Sequence, residues 1–389
     1  MTVVNLGTYP PKQCGIATFS QDLRRSLMKA GHTVLVAAVS DHEYEYQYPS
    51  EVIIEIGQHQ KQDYLQAASL INSHNAVDLV IIQHEYGIYG GPSGSYLLDF
   101  CRALDKPFMV VTHTVLPSPE ELRYKLLAEL TQQAAAVVCM TQNSADLLQR
   151  VYHVPRSKIN LISHGVPEFT PKSPSALKKK YGLQGQNVIS TFGLIGPGKG
   201  LELGIRAIAE VVKEYRECTY LILGQTHPML QKSEGERYRQ MLEQLVLELD
   251  IAGNVKFVNR FLTDEELGEY LYLTDIYLSP YPNLDQAVSG TLSFAVGSGR
   301  AIVSTPYAHA LELLAEERGL LASKPDYLEL AQLIKSILAD PALKTRLQNN
   351  ARQLGHTLSW TQVGRRYSQV ISEILKYSQK AEGKKIHYV

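Results

Sequence analysis

Short apolar runs recur along this chain, each closed by glycine, proline or a polar residue and followed by apolar positions three and four apart. Thr2–Gly7 (TVVNLG) opens the series as a buried strand. Phe19, Leu23 and Leu27 share one helical face, Gly31-His32 closes that helix, and Thr33–Val39 is a second strand. Asp78–Gln83 (DLVIIQ), Pro107–Val111, Val137–Met140 and Ile159–Ile162 continue the pattern. Strands apolar on both faces are what a parallel sheet covered by helices requires. The series then restarts. Asn187–Phe192 reads as a strand, Leu201, Ile205, Ile208 and Val212 line a helix, and Thr219–Leu223, Val255–Val258, Asp275–Ser279 and Arg300–Val303 read as strands. Glu168–Gln186, with Pro171 and Pro174, reads as a linker, and its Lys178-Lys179-Lys180 run as a solvated helix face. Val363, Tyr367, Val370 and Ile374 mark an amphipathic helix after Trp360, and the polar tail from Lys376 is expected to fray. The prediction is α/β, with two halves of strand–loop–helix–strand units.

In open α/β sheets ligands bind at the carboxyl ends of the strands, and this chain places its unusual residues there. Tyr9–Ala17 (YPPKQCGIA) follows the first strand as a loop, since two prolines and a glycine disfavour regular structure. His84-Glu85-Tyr86-Gly87 and Thr112-His113-Thr114 follow two later strands. Gly193-Leu194-Ile195-Gly196-Pro197-Gly198-Lys199-Gly200 opens the second half. Its glycines permit close backbone approach, and Lys199 offers a positive charge to a phosphate. Arg260 follows the strand Val255–Val258. From Ser279 a turn-rich segment leads to Ser289-Gly290-Thr291 and the apolar run Leu292–Val296. Free N–H groups and the positive end of the helix dipole there favour a phosphate or a sugar hydroxyl. Plainer readings stand beside these. Ser289 or Thr291 also fits an ordinary N-cap, a lone histidine is usually structural, and the tyrosines of Glu43–Tyr48 fit an exposed edge better than a sugar-stacking loop.

A chain of 389 residues suits two domains. Its net charge of −1 gives no bulk attraction to nucleic acid. Cys14, Cys101, Cys139 and Cys218 lack any metal-ligand spacing and fit reduced, cytosolic thiols. No signal peptide and no membrane-spanning run is read, so a cytoplasmic protein with at most peripheral membrane contact is expected.

Five segments, in order, resemble the retaining nucleotide-sugar glycosyltransferases of glycosyltransferase family 4, over almost the whole chain. PPKQCGIATFSQDLRRSLMKAGHTV resembles that family's glycine loop, helix and second strand. INLISHGVPEF resembles its interdomain crossing, and STFGLIGPGKGLELGIRAI its diphosphate loop. VKFVNRFLTDEELGEYLYLTDIYLSP and GSGRAIVST resemble its last core strands. The resemblance implies the GT-B fold, two Rossmann-like domains facing each other across a cleft. Residues 1–167 form the acceptor domain, 168–359 the nucleotide-sugar donor domain, and a helix at about 360–389 returns to the first.

The implied activity is transfer of mannose or glucose, from GDP-mannose or UDP-glucose, to a hydroxyl of a glycan or small-molecule acceptor, with mannose slightly preferred. Configuration is retained by front-face displacement. No cofactor and no metal is expected, and no DxD motif is present to hold one. By resemblance, Gly15, Gly198, Lys199, Arg260, Gln286, Ser289, Gly290 and Thr291 bind the donor, with His113, Lys199, Arg260 and Gln286 closest to the chemistry. His84, Glu85 and Tyr86 face the acceptor. The chain also departs from the family. Counting back from Gly299, the two positions of the family's E-x7-E motif fall on Gln286 and Phe294, and the arginine of its diphosphate loop falls on Leu194. A rebuilt donor pocket accounts for this, as does a catalytically degenerate nucleotide-sugar binding protein. Another GT-B enzyme, such as an epimerase, is a further alternative, and a dehydrogenase is disfavoured by the absence of GxGxxG in either half.

Overall fold

The computed structural model describes residues 1–41 and 45–386, with side chains to Tyr377. It divides into two compact units, Met1–Gly165 with the segment from Trp360 onward, and Val166–Ser359.

The first unit is built on seven parallel strands: β1 (Thr2–Gly7), β2 (Thr33–Ser40), β3 (Val52–Gly57), β4 (Val77–His84), β5 (Phe108–Thr112), β6 (Ala136–Cys139) and β7 (Ile159–Leu161). Their order is β3-β2-β1-β4-β5-β6-β7. β1, β4 and β5 are buried along nearly their whole length, as strands covered on both faces must be. The chain leaves β1 toward β2 and reaches β4 on the other side, so the connections reverse direction between β1 and β4. That switch point opens a crevice at the carboxyl ends of the two strands, at Gly7-Thr8 and His84.

The terminal helix Trp360–Ile386 packs on the first helix, Gly15–Lys29. A Cβ on Gly364 would lie 1.9 Å from Ser26 Oγ, so only glycine allows this approach. Ser26 Oγ donates to the Trp360 carbonyl, His32 Nε2 pairs with Ser368 Oγ at 2.7 Å, and Val363, Tyr367 and Ile371 are buried. The tail that was expected to fray continues this helix through Ile386. Residues 387–389, and Glu43 and Tyr44 of the tyrosine segment, lie outside the described residues. Tyr48 in that segment is tied down, its hydroxyl 2.7 Å from Ser40 Oγ.

The second unit has six parallel strands: β8 (Asn187–Phe192), β9 (Cys218–Leu223), β10 (Val255–Val258), β11 (Ile276–Ser279), β12 (Ala301–Ser304) and β13 (Leu320–Leu321), ordered β10-β9-β8-β11-β12-β13. Its switch point lies between β8 and β11, at Phe192-Gly193 and Ser279-Pro280. The stretch read as a linker contains a helix, Pro174–Lys180, capped by Ser173 and started by a proline whose fixed φ suits that position. Its lysines are not simply solvated. Lys178 pairs with Asp275 at 2.5 Å and Lys180 with Glu269 at 2.5 Å, which ties the helix to the strand β11 and the helix Asp264–Leu273.

Candidate functional site

At the switch point of the second unit the backbone bends on glycines. Gly193 (φ +123) and Gly224 (φ +136) adopt conformations that L side chains rarely take, and a Cβ on Gly224 would lie 2.1 Å from the Gly193 carbonyl oxygen. The segment from Gly193 is strapped to the segment after β9 by Gly193 N–H to Leu223 O at 2.9 Å and Ile195 N–H to Gln225 O at 2.8 Å. Gly200 sits so close to the Pro280 carbonyl that a Cβ would stand 2.1 Å from its oxygen. These contacts bring Lys199 against the segment that follows β11.

Lys199 Nζ donates to Tyr281 Oη at 2.5 Å and lies 4.7 Å from the centroid of that ring. The same phenol oxygen is 2.9 Å from Thr291 Oγ1 and 3.4 Å from Ser289 Oγ. Ser289 caps the helix Gly290–Gly297, accepting from Leu292 N–H at 3.3 Å, so the capping reading holds. The N–H groups of Gly290 and Thr291 precede the first intrahelical bond, Ser293 N–H to Ser289 O. Gly193 lies opposite: a Cβ there would stand 3.2 Å from both Lys199 Nζ and Thr291 Cγ2. One ammonium, a helix N-terminus and a bare stretch of backbone therefore meet at one place, an arrangement suited to a phosphate.

Four further residues at this site escaped the sequence reading. Tyr281, 4% exposed, stacks on Tyr307 at 5.0 Å between centroids, and Tyr307 Oη is fixed 2.7 Å from Ser279 Oγ. His309 Nδ1 accepts the Ser289 N–H at 2.8 Å and so secures the cap from below. His227 precedes Pro228–Glu234, and burial followed by the charge of Lys199 pushes its imidazole below the usual range.

The other expected donor residues are placed differently. Arg260 is engaged by Glu266 in a two-pronged pair at 2.8 and 2.6 Å, and Glu266 also closes the capping box with Thr263. The second positive charge expected from Arg260 is thus held on an exposed cap, and the structure shows no contact between it and Lys199. Gln286 donates its amide to the Val288 carbonyl at 2.8 Å, which shapes the loop before Ser289. Phe294 packs against Phe169 and Phe192, as an apolar residue in place of a carboxylate should. Gly198 and Gly15 are exposed, with open space where a Cβ would stand, so neither conformation depends on glycine.

In the first unit a buried polar chain crosses the central strands. Gln83 Nε2 donates to Asn5 Oδ1 at 2.8 Å, and His113 Nε2 donates to Gln83 Oε1 at 2.9 Å. That polarity leaves the lone pair of His113 on Nδ1. Burial, with the neighbouring His164 and His84, pushes His113 down to about 3. Its ring meets Phe19 edge-on at 4.8 Å, and Phe19 also meets His164 and Trp360. His84 does not face outward as expected. It is 1% exposed, neither ring nitrogen has a partner, and its ring meets Tyr86 edge-on at 4.8 Å. Tyr86 is also buried, under the Arg123 guanidinium at 5.5 Å. Glu85 remains partly exposed. It accepts Tyr86 N–H at 2.9 Å and Thr114 Oγ1 at 2.5 Å, and burial raises its carboxyl above the usual range. Among the described residues no group of three His, Cys, Asp or Glu side chains is placed to hold a metal ion, and no helix is long and apolar enough to cross a membrane.

Comparison with known proteins finds two adjoining matches. The family model described as Glycosyltransferase Family 4 covers residues 14–168, and that described as Glycosyl transferases group 1 covers residues 175–354. A 2-deoxystreptamine glucosyltransferase of Streptomyces kanamyceticus is 25% identical over 218 residues, 54% of this chain and 53% of that protein. The match thus spans about half the length of that relative. Among solved structures, sucrose-phosphate synthase from Thermosynechococcus elongatus superposes with a TM-score of 0.81 at 18% identity, covering 97% of this chain and 100% of that one. The Anabaena HepE protein, solved with UDP and glucose, gives 0.76 at 16% identity, covering 96% and 100%.

Proposed function

Because the chain belongs to the family 4 glycosyltransferases, we propose that it transfers a hexose from a nucleoside-diphosphate sugar to an acceptor hydroxyl, with the donor diphosphate seated on Lys199. Its two parallel-sheet units are those of the GT-B fold. The observation that carries the reading is the convergence of the Lys199 ammonium, the Gly193 backbone and the first turn of Gly290–Gly297 at the switch point of the second sheet. We assign the hexose to glucose and the nucleotide to UDP in preference to mannose and GDP. A glucosyltransferase and a protein solved with UDP and glucose among the similar proteins support that choice.

In the proposed reaction the acceptor oxygen bonds to the anomeric carbon as the bond from that carbon to the phosphate oxygen breaks. The departing phosphate oxygen takes the acceptor proton, on the same face, so configuration is retained and no protein base is required. Charge then builds on the diphosphate, where Lys199 and the N–H groups of Gly290 and Thr291 stabilise it more than they stabilise the intact donor. In the first unit, His113 is assigned to the sugar and Glu85 to the acceptor. Glu85 is held by Thr114 and Tyr86 N–H, burial raises its carboxyl above the usual range, and its oxygens can accept a hydrogen bond from a hydroxyl.

The second reading is a nucleotide-sugar binding protein without turnover, favoured by Gln286 and Phe294 standing where the family carries carboxylates. Thermal unfolding with UDP, GDP and ADP, each with and without EDTA, tests the donor site. UDP at about 100 times its dissociation constant should add about 2.7 kcal/mol, unaffected by EDTA, and Lys199→Ala should abolish the shift. An unchanged shift in that variant, or none with any nucleotide in the wild type, overturns the donor assignment. Transfer of labelled glucose from UDP-glucose to an acceptor, or its release to water, separates an enzyme from a binding protein.

A further inference from the structure

We propose that Tyr281 is the positioning residue of the donor site: its phenol oxygen holds the Lys199 ammonium at the N-terminal end of Gly290–Gly297 and releases it to the incoming diphosphate. The inference rests on the donor reading above and adds the group that prepares Lys199 for it.

An ammonium only donates hydrogen bonds, so at 2.5 Å the phenol oxygen is the acceptor for Lys199. That oxygen also meets Thr291 Oγ1 at 2.9 Å and Ser289 Oγ at 3.4 Å, the two hydroxyls of the helix N-terminus. The ring has little freedom. It is 4% exposed, stacked within 16° of parallel on Tyr307, and its own carbonyl accepts Thr305 Oγ1 at 2.6 Å. A flexible lysine is thereby fixed to a rigid post, which reduces the entropy it loses on binding a ligand.

Among the described residues Lys199 forms no ion pair, and the positions where the family carries glutamate hold Gln286 and Phe294. A carboxylate would orient the ammonium but would also neutralise it and compete with phosphate. A phenol orients it and leaves the charge available. The groups facing this pair are Ser289, Thr291, Tyr277, Tyr307 and, beside Lys199, His227. Burial pushes Tyr281 up, but the Lys199 charge and the hydrogen bonds of Lys199, Ser289 and Thr291 outweigh it, and the phenol ionises below its ordinary range. Burial instead leaves Tyr307 and Tyr277 raised. Tyr281 therefore has a signature of its own.

The test uses Tyr281→Phe, which keeps the ring and its stack on Tyr307. Isothermal titration with UDP should show the dissociation constant rising roughly 10- to 100-fold, the worth of one hydrogen bond to a charged group. Turnover on UDP-glucose should show a raised donor KM, and unfolding without nucleotide should stay cooperative. Ultraviolet titration of the wild type should show one tyrosine ionising ahead of the rest. That step should vanish in Tyr281→Phe, move to higher pH in Lys199→Met, and move to higher pH when UDP is added to the wild type. Wild-type UDP affinity in Tyr281→Phe, or an early tyrosine step that survives the substitution, overturns the proposal while the donor site stands. Absence of nucleotide binding by the wild type overturns the donor site and this proposal together.

Discussion

Replacing His84 by leucine should make the first unit less sensitive to acid without weakening it at neutral pH. His84 ends β4 with 1% exposure and no hydrogen-bond partner on either ring nitrogen. Burial holds the imidazole neutral and lowers it to about 4, whereas in the unfolded chain it titrates near 6.5. Below about pH 6.5 the unfolded chain therefore binds a proton that the folded chain refuses. The stability from a neutral His84 is complete above that pH, is lost as the pH falls toward 4, and changes no further below it. The slope is about 1.4 kcal/mol per pH unit, so His84 alone costs about 2 kcal/mol at pH 5. His113 and His164, lowered by burial to about 3 and about 4, act in the same direction, and Glu85, raised by burial, acts in the opposite one.

Leucine removes the share of His84. Between pH 7 and pH 5 the variant should lose about 2 kcal/mol less than the wild type. At pH 7 it also removes two buried polar atoms that lack partners, each worth about 1–3 kcal/mol, against a shape cost below about 1.5 kcal/mol. The net change should be neutral or stabilising. Urea unfolding at pH 7, 6 and 5 measures this directly. Trp360, the only tryptophan in the chain, lies in the first unit and reports that unit. An identical pH slope in the two proteins would refute the reasoning, because His84 would then titrate alike in the folded and unfolded states. A large loss of stability at pH 7 would refute it too, since it would mean that the ring nitrogens have partners.

Other outcomes follow from the second unit. Gly224→Ala places a Cβ 2.1 Å from the Gly193 carbonyl at φ +136, and should cost about 2–3 kcal/mol by circular dichroism and weaken UDP binding as Gly193 shifts. Arg300→Met strips the buried carbonyls of Ser298, Tyr272 and Thr274 of their donor, for a loss of about 3 kcal/mol. Glu269→Gln should destabilise the protein at pH 7 and match the wild type near pH 2. Lys172, Lys180 and Tyr181 hold that carboxyl down at about 2, so its contribution is present above about pH 4.5 and lost as the pH falls through 2.

The sheets were legible because their central strands are apolar on both faces, a pattern with no competing local explanation. β3 lacks that signal: Ile53 and Glu55 point outward from an edge strand, and the alternation in VIIEIG is that of a half-buried surface. The helix Pro174–Lys180 was half legible. Its cap and proline are local, but its anchors, Asp275 and Glu269, lie about ninety residues away, and a lysine run carries no trace of them. The crossing at Gly165 is legible by resemblance alone, and nothing local explains its glycine. It is a glycine because the Trp360 ring would stand 2.3 Å from a Cβ there, a contact made by a segment nearly two hundred residues later.

The same division explains the proposed donor site. Lys199, Ser289 and Thr291 could be named because a glycine loop and an N-cap are local facts of the chain. Tyr281, which joins all three, could not, because a tyrosine between two prolines reads as part of a turn. Its importance arises only when β8 and β11, nearly ninety residues apart, become neighbours at the switch point. Arg260 shows the converse, a local partner that strand-end reasoning overlooks. It stands at the end of a strand, where a ligand-binding cation belongs, yet Glu266 six residues later supplies two oxygens at hydrogen-bonding distance and takes it into a helix cap. A charge already paired with a carboxylate must give up that pair to meet a ligand. Of the two cations proposed from the sequence, Lys199 is held by a phenol, which leaves its charge unpaired, and Arg260 by a carboxylate on an exposed cap, which a ligand phosphate would have to displace.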